Sequence, residues 1–178
     1  MFADDTNLFF TGTDIMKLYE TINIELLKIS YWFTINKLSL NITKTNYIIF
    51  NPRTKYHISS DHNIFLNKEK IERVHATKFL GVIVNSNLTW ADHIKTISTK
   101  ISKSLGIIYR VRNKLPRSNV VNLYNTLIHP YLTYCNIIWA TENTACLKTL
   151  QSLKKRALRM IAFASYNCHS SPLFKKHC

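Results

Sequence analysis

Two adjacent carboxylates near the start of the sequence, Asp4 and Asp5, are the residues best suited to metal-ion chemistry. Residues 1–6 read Met-Phe-Ala-Asp-Asp-Thr, so apolar neighbours precede the pair. This pattern predicts a tight β-hairpin whose turn directs carboxylate oxygens, the ligands that Mg²⁺ prefers, toward a divalent cation. Taken alone the signal is weak, because two neighbouring acids often lie in an ordinary solvated turn. The elements that follow in the sequence decide between these interpretations.

The first half of the sequence predicts short strands around one long helix. Residues 2–11 would form the hairpin, with residues 8–10 as its return strand, and Thr13 would be the N-cap of the helix. Apolar residues at steps of three and four then define one helix face: Ile15, Leu18, Tyr19, Ile22, Leu26, Ile29 and Phe33. Three more strands are predicted, at residues 46–50, 64–66 and 78–84. Gly81 in the last of them indicates a bulge or a close approach by another backbone.

From residue 89 onward the apolar spacing is helical. Thr89 and Asp92 have the spacing of an N-cap pair. A long apolar stripe follows at helical steps: Ile94, Ile97, Ile101, Leu105, Ile108 and Val111. Further helices are predicted at residues 118–129, at 130–139 and from 144. The predicted fold class is therefore α+β, with a mixed part over residues 1–88, an all-helical part over 89–163 and an irregular tail over 164–178.

The charge of the chain changes near the same point. Residues 1–92 carry ten Lys and Arg against nine Asp and Glu, whereas the remainder carries 14 bases and a single acid, Glu142. Such a basic half favours a polyanionic partner, with nucleic acid as the first candidate and an anionic membrane surface as the second. A solvated basic surface without a partner is the alternative.

Several other classes of protein are disfavoured. The four cysteines, Cys135, Cys146, Cys168 and Cys178, fit no zinc-binding spacing, and the pairs 168–169 and 177–178 would form a poor tetrahedral site. The sequence has no signal peptide, no apolar run long enough to span a membrane, no Gly-rich phosphate loop and no hydrolase motif. These features predict reduced thiols and an intracellular protein, in a nuclear or cytoplasmic ribonucleoprotein.

An ordered series of motifs is far more specific than the two aspartates alone. The series comprises residues 2–6, 36–45, 78–82, 88–94 and 123–134. It closely resembles the C-terminal half of a non-LTR retrotransposon reverse transcriptase of the Jockey/I-like sort, over roughly residues 1–163. The resemblance implies a fragment of an RNA-directed DNA polymerase from a transposable element. The implied fold is part of a polymerase palm, with a β-hairpin, a long helix and antiparallel strands, followed by an all-helical thumb.

The resemblance also implies roles for particular residues. Asp4 would be a ligand of catalytic Mg²⁺, and Asp5 would add charge and a further contact to the same metal site. Lys44 would contact or protonate the departing pyrophosphate, although an ordinary surface lysine in a bend is an equal alternative. The run Phe79-Leu80-Gly81-Val82 would be the primer grip, which positions the primer end; a plain core strand with a bulge is compatible with that role.

The helical half matches the thumb of such polymerases, whose implied partners are an RNA template, a DNA primer and deoxynucleotides. Seven bases would contact phosphates of the template–primer duplex: Lys95, Lys100, Lys103, Arg110, Arg112, Lys114 and Arg117. A second patch would face RNA or target DNA: Lys154, Lys155, Arg156 and Arg159. Four aromatic residues, Trp90, Tyr131, Tyr134 and Trp139, are predicted to be core residues rather than base-stacking platforms.

A polymerase of this type also needs fingers and a metal-binding aspartate from a preceding palm strand. With Asp4 already at position four, the chain is expected to lack both, so we predict negligible polymerisation by this chain alone. The alternative function is that of a non-catalytic, basic nucleic-acid-binding remnant. No specific protein partner is indicated by the sequence.

Overall fold

A computed structural model describes residues 6–50, 63–141, 144–165, 167–169 and 172–173. Contacts between residues group the chain into two units, residues 1–75 and residues 76–178. The predicted division at residue 88 differs from this grouping, because the strands just before that position associate with the helices that follow them. Helix and strand are both present, which confirms the predicted α+β class in its broad sense.

Helix α1, Ile15–Ile35, is the longest element of the first unit. Its N-cap is Asp14 rather than the predicted Thr13: the Asp14 carboxylate accepts hydrogen bonds from the backbone N–H of Met16 at 2.9 Å and of Lys17 at 3.4 Å. These bonds satisfy two of the backbone donors that a helix start leaves free. The predicted apolar face is buried at its centre, where Tyr19 and Leu26 lie in the core.

The predicted return strand at residues 8–10 is wrong. Residues 6–12 have no regular secondary structure, and the Phe9 side chain is 74% exposed. A strand needs a neighbouring strand to satisfy its backbone groups, and none of the described strands pairs with this segment. The first half of the predicted hairpin, including Phe2, Asp4 and Asp5, lies outside the described residues.

Short strands pack against α1 in the first unit. The predicted strand 46–50 is reduced to β1, Asn46–Tyr47, which pairs in parallel with β4, Glu72–Arg73. The predicted strand 64–66 is confirmed as β2, Phe65–Leu66, which pairs antiparallel with β3, Glu69–Lys70. The connecting residues Asn67 and Lys68 have φ of 51° and 68°, which is the left-handed backbone that a tight two-residue hairpin turn requires.

A small core and polar contacts hold these elements together. The buried core residues are Tyr19, Leu26, Ile64, Leu66 and Ile71. The Asn23 side-chain amide donates to the Asn63 carbonyl at 3.2 Å, and its oxygen accepts from the Phe65 N–H at 2.9 Å. The Ser30 hydroxyl donates to the side-chain oxygen of Asn67. Two positions along α1 are therefore tied to the β2–β3 hairpin.

The second unit begins with a hairpin where one continuous strand was predicted. Strands β5, Ala76–Phe79, and β6, Val82–Asn85, pair antiparallel. Between them Leu80 and Gly81 have φ of 45° and 86°, so the prediction of one strand over residues 78–84 is wrong. A two-residue turn of this kind needs positive φ at both positions, and glycine adopts it without a Cβ penalty.

Six residues after β6 the chain enters helix α2, Ala91–Val111. The predicted cap pair has a different role: the Asn85 side chain donates to the Thr89 hydroxyl at 2.7 Å and to the Asp92 carboxylate at 3.2 Å, and accepts from the Thr89 N–H at 2.8 Å. Trp90 is the N-cap residue and makes no side-chain cap bond. The link between hairpin and helix is thus held by Asn85.

Four more helices follow α2 over the described residues up to 161. After a 3₁₀ turn at Arg112–Lys114 come α3, Arg117–Leu127, α4, His129–Thr133, α5, Asn136–Trp139, and α6, Thr144–Ile161. The prediction of one helix over residues 130–139 is wrong, because Cys135 has φ of 51° and separates α4 from α5. The Trp139 indole N–H donates to the Tyr134 carbonyl at 2.9 Å and stabilises this break.

The apolar stripe predicted on α2 forms the centre of the second core. Ile101 and Leu105 are fully buried, and Ile94, Ile97 and Ile108 are at most 4% exposed. Residues from the other helices complete the cluster: Val120, Tyr124, Ile128, Trp139, Leu150, Ala157, Met160 and Ile161. This core fixes the faces on which α2 and α6 carry their basic residues.

Candidate nucleic-acid interface

The predicted metal ligands, Asp4 and Asp5, lie outside the described residues, so their role stays a prediction. Two other aspartates have structural partners: Asp14 caps α1, and Asp92 accepts a hydrogen bond from Asn85. Over residues 6–50, 63–141 and the described part of the tail, no group of three His, Cys, Asp or Glu side chains could hold a metal ion. The described part of the chain therefore offers no further support for a magnesium site.

Lys44 is exposed at the end of a 3₁₀ turn, Ile42–Lys44. The Asn41 side chain caps this turn, since its oxygen accepts from the Lys44 N–H at 3.2 Å and from the Thr43 hydroxyl at 2.7 Å. The spacing of Asn41 and Lys44 thus has a local structural cause, which is the capping of a turn. The exposed ammonium group is free to reach solvent-borne phosphate, but its role in pyrophosphate release stays a prediction.

The residues predicted as the primer grip surround the β5–β6 turn. Val82 is buried, while Leu80 at the tip is 47% exposed. The Tyr134 hydroxyl donates to the Leu80 carbonyl at 2.6 Å. A Cβ on Gly81 would lie 3.3 Å from the Tyr134 ring, so the predicted close approach at this glycine comes from a side chain rather than from another backbone.

His93, for which no separate role was predicted, is hydrogen-bonded to strand β6 of the same hairpin. It is 4% exposed, its Nδ1 accepts from the Ile83 N–H at 3.3 Å, and its ring lies 5.9 Å from that of Trp139. Burial, with a smaller effect from the charge of Lys100, lowers the pKa of His93 below its usual value. A neutral imidazole can accept this hydrogen bond, and a protonated one cannot. The only signal in the sequence was its position beside the apolar stripe of α2.

The first predicted set of bases is spread around α2 and the turn after it. Lys100, Lys103 and Arg110 follow steps of three and seven, so they share one side of the helix. The Lys100 ammonium lies 5.3 Å from the centroid of the Tyr131 ring. Exposed members of the set also occur beyond this row: Lys95, Lys114 and Arg117.

Arg112 differs from the other bases of its set. It is half-buried, and its guanidinium carbon lies 5.2 Å from the centroid of the Tyr109 ring, a cation–π contact. Its Nε is buried and has no hydrogen-bond partner among the described residues. Arg112 is therefore positioned toward the molecule rather than toward open solvent.

The second predicted set lies on α6. Lys155 and Arg156 are exposed, and Lys154 and Arg159 are half-buried. The Arg159 Nε donates to the Cys168 carbonyl at 2.8 Å, which fixes that guanidinium. Arg156 and Arg159 line one cavity together with Arg112, so the structure brings the second patch together with one member of the first. From the sequence alone the two sets were predicted to be separate.

The four aromatic residues predicted for the core divide into three cases. Trp139 is buried, which confirms that prediction, and Trp90 and Tyr131 are half-buried at the edge of the same core. Tyr134 is 53% exposed, so its prediction as a core residue is wrong. Its ring is needed at the surface because its hydroxyl binds the tip of the β5–β6 turn. Interaction with the neighbouring Cys135 side chain raises the pKa of Tyr134 above its usual value.

The remaining sequence predictions concern thiols and membranes. Cys135, Cys146 and Cys168 are free thiols, while Cys178 and its neighbour His177 lie outside the described residues. Among the helices described, none has the length and apolar character needed to cross a membrane.

Comparison with known proteins identifies three curated relatives. The chain is 21% identical over 177 residues, 98% of its length, to the probable RNA-directed DNA polymerase from transposon X-element of Drosophila melanogaster. It is 25% and 26% identical, over 93% of its length, to the RNA-directed DNA polymerases from mobile element jockey of Drosophila funebris and Drosophila melanogaster. The chain spans 18–19% of the length of these relatives.

No family model and no solved structure matches the chain. The three relatives nevertheless agree with one another in activity and in type of element, and each match covers nearly the whole chain. They confirm the resemblance predicted from the motifs: this chain is similar to a segment of the RNA-directed DNA polymerases of the jockey and X-element transposons.

Proposed function

We propose that this chain is a segment of an RNA-directed DNA polymerase whose second unit binds the template–primer duplex. The observation that carries the proposal is the charge of that unit, which has exposed bases on α2 and α6 and a single acid after residue 92. The names of the three relatives support the polymerase assignment. Residues 1–88 then correspond to the remainder of a palm and residues 89–163 to a thumb.

The basic helices supply affinity without sequence selection. Lysine and arginine side chains that neutralise phosphates release condensed counterions, so binding weakens steeply as salt rises. The row Lys100, Lys103 and Arg110 on α2 would follow one strand of an RNA–DNA hybrid, because its members share one side of the helix. Contacts of this kind position a duplex and carry no information on its sequence.

The β5–β6 turn is proposed to position the primer end. Its backbone is held by Tyr134 at Leu80 and by His93 at Ile83, which limits its movement relative to α2 and the α4–α5 break. Leu80 is exposed at the tip and offers an apolar contact for a sugar or a base. A tip fixed at two points can orient a nucleotide more reproducibly than a free loop.

In the polymerase, Asp4 and Asp5 are proposed to hold Mg²⁺, and Lys44 to contact the pyrophosphate. Paired divalent ions, when bound, stabilise the attacking and the departing oxygens of nucleotidyl transfer. Such a site needs carboxylates from neighbouring strands, and the described aspartates, Asp14 and Asp92, are engaged elsewhere. That engagement favours the second candidate function for a polypeptide of these 178 residues, duplex binding without nucleotide transfer.

Binding to an RNA–DNA hybrid at several salt concentrations tests the proposed duplex binding. Reversing charge at Lys154, Lys155 and Arg156 with glutamate should flatten the dependence of log K on log salt, by about 0.9 for each phosphate that is no longer neutralised. The matched control reverses three exposed lysines of the first unit, Lys17, Lys37 and Lys70. The proposal fails if both triple variants change the slope equally or if neither does.

Primer extension on the same purified chain tests the chemistry. With template, primer, deoxynucleotides and Mg²⁺ present we expect no extension above background, while hybrid binding persists. Extension that requires Mg²⁺ and is abolished by Asp4→Ala would contradict this expectation and establish the chain as a self-sufficient polymerase.

A further inference from the structure

A cavity of about 350 Å³ lies where the C-terminal end of α2 meets the last turns of α6. Its size is near the lower end of the roughly 300–1,000 Å³ that small-molecule sites occupy. Half of the lining residues are arginines: Tyr109, Arg112, Arg156, Arg159, Met160 and Ala164. The cavity lies wholly within the second unit, so its geometry depends only on that unit's own packing.

The charge of this cavity is one-sided. Arginine stays protonated at any physiological pH, and none of the lining residues is an acid. Across the described part of the chain, the ion pair that the structure shows joins Lys28 to Glu25, in the first unit. Like charges gathered around a common space repel one another unless an anion lies between them.

Arg112 gives a second, independent indication. Its guanidinium is held against the Tyr109 ring, while its Nε is buried without a hydrogen-bond partner among the described residues. A buried donor on a charged group is costly to leave unsatisfied. An oxyanion in the cavity could accept a hydrogen bond from this N–H and also compensate the positive charge. A water molecule could accept the hydrogen bond but could not compensate the charge.

The other walls restrict what the cavity can hold. Arg159 is fixed through its Nε to the Cys168 carbonyl, and Met160 is buried beside it and closes the apolar side. Three guanidinium groups present planar arrays of N–H donors, which suit the oxygens of phosphate better than single ammonium groups do. Placing bases near the C-terminal ends of helices is favourable in itself, but that effect does not require three of them to line one cavity.

We propose that Arg112, Arg156 and Arg159 form a binding site for a single phosphate group. The site extends the proposed function, because the phosphate can be supplied by RNA or DNA or can be free in solution. In either case the site would fix one phosphate at a defined position, in contrast to the diffuse contacts of the exposed lysines on α2.

Titration of the full chain with inorganic phosphate, at constant ionic strength, tests the site directly. The Nε–H resonances of the three arginines should shift and saturate together. Arg156→Gln should weaken binding about tenfold, since it removes a charge-assisted hydrogen bond. Lys148→Gln is the matched control, because it removes the same charge from an exposed position on α6 that lies outside both predicted sets of bases and outside the cavity, and it should change the affinity less than about twofold.

Equal weakening by the two variants, or shifts that grow linearly without saturation, would overturn the proposal. Arg156 is exposed, so its substitution leaves the core intact, and circular dichroism verifies folding. Competition with a single-stranded oligonucleotide bearing a 5′-phosphate, against the same oligonucleotide with a 5′-hydroxyl, identifies the source. A clear advantage of the 5′-phosphate supports a terminal phosphate; equal competition by both supports the nucleic-acid backbone.

Different results would refute the phosphate site and the proposed duplex binding. If Arg156→Gln abolishes phosphate binding but leaves the affinity for the hybrid and its salt slope unchanged, the site exists and is not used by the duplex. If phosphate does not bind while the charge-reversed variant still shows a flattened salt slope, duplex binding stands and the phosphate site is refuted.

Discussion

The two units of this chain bury their apolar residues to very different extents. In the first unit five buried residues form the core, and α1 exposes a second apolar row that includes Ile24, Leu27, Tyr31 and Ile35, with Leu27 at 67% and Tyr31 at 69% exposed. In the second unit the buried core draws residues from four helices, α2, α3, α5 and α6, and the exposed positions of α2 and α6 are rich in bases. The second unit therefore exposes mainly charged side chains on these helices, whereas α1 carries apolar side chains on its exposed side as well as in the core.

The largest expected difference between the units concerns core truncation. Ile101 is completely buried in the second core, so Ile101→Ala should cost about 3–5 kcal/mol of unfolding free energy. Leu26 is 8% exposed in the smaller core, and Leu26→Ala should cost about 2 kcal/mol. Urea denaturation of both variants, followed by circular dichroism, measures the two values. Equal losses of stability would remove the contrast in packing on which the comparison depends.

Acid should destabilise the second unit selectively through His93. Burial lowers the pKa of folded His93 below its unfolded value of 6.5, so the unfolded state takes up a proton first as pH falls. The stability that neutral His93 contributes is complete above pH 6.5 and is lost as pH falls through the folded pKa. Thermal unfolding between about pH 8 and pH 5 measures this decrease.

His93→Asn is the control for that pH dependence. An asparagine oxygen can accept the Ile83 N–H but does not titrate, so the variant should show a flatter profile over the same range. An unaltered profile in the variant would assign the acid sensitivity to other groups.

The two units can also be compared through substitutions that remove particular hydrogen bonds in each. Tyr134→Phe removes the donor to the Leu80 carbonyl and should cost about 1 kcal/mol, because the exposed carbonyl can bind water instead. Asn23→Ala removes two bonds in the first unit, to Asn63 and from Phe65, and should cost about 2 kcal/mol. Amide hydrogen exchange at Ile83 and at Phe65 localises each effect; exchange that rises equally at both sites would contradict the separation into units.

The smallest effect is expected on the outer row of α1. Leu27→Ser exposes no new apolar surface, so its unfolding free energy should change by less than about 0.5 kcal/mol, while the tendency of the chain to self-associate should fall. Sedimentation at increasing protein concentration measures the latter. A decrease above about 2 kcal/mol would show that this row is buried in solution.

Elements with a regular apolar period were predictable from the sequence, and elements that depend on unusual backbone were not. The stripe from Ile94 to Ile108 identified α2, because leucine and isoleucine at steps of three and four place one apolar face on a helix and do not fit the alternation of a strand. The turn at Leu80 and Gly81 was hidden inside a continuous apolar run, with a single glycine as its only signal. The break at Cys135 had no signal at all, since cysteine rarely adopts positive φ.

Some features of the candidate site were likewise predictable from the sequence, and others were not. The positions of the bases could be read from the sequence, but Arg112 and Arg156 are far apart along the chain and meet only because α2 packs against α6. Likewise, nothing local indicates that Tyr134 is held at the surface by a turn that precedes it by 54 residues. Tertiary packing, rather than local propensity, determines these relationships.

Tyr134 immediately precedes the left-handed residue that separates α4 from α5, and its phenol holds the tip of the β5–β6 hairpin. A rotation of the backbone at Cys135 would therefore move the Tyr134 phenol and, through its hydrogen bond, the Leu80 carbonyl. Gly81 lets the ring lie this close to the turn, because any side chain at position 81 would contact the Tyr134 ring. The break at Cys135 and the hairpin tip are thus coupled through one hydrogen bond and one ring contact, so a substitution at Tyr134 or Gly81 should loosen the hold of one on the other.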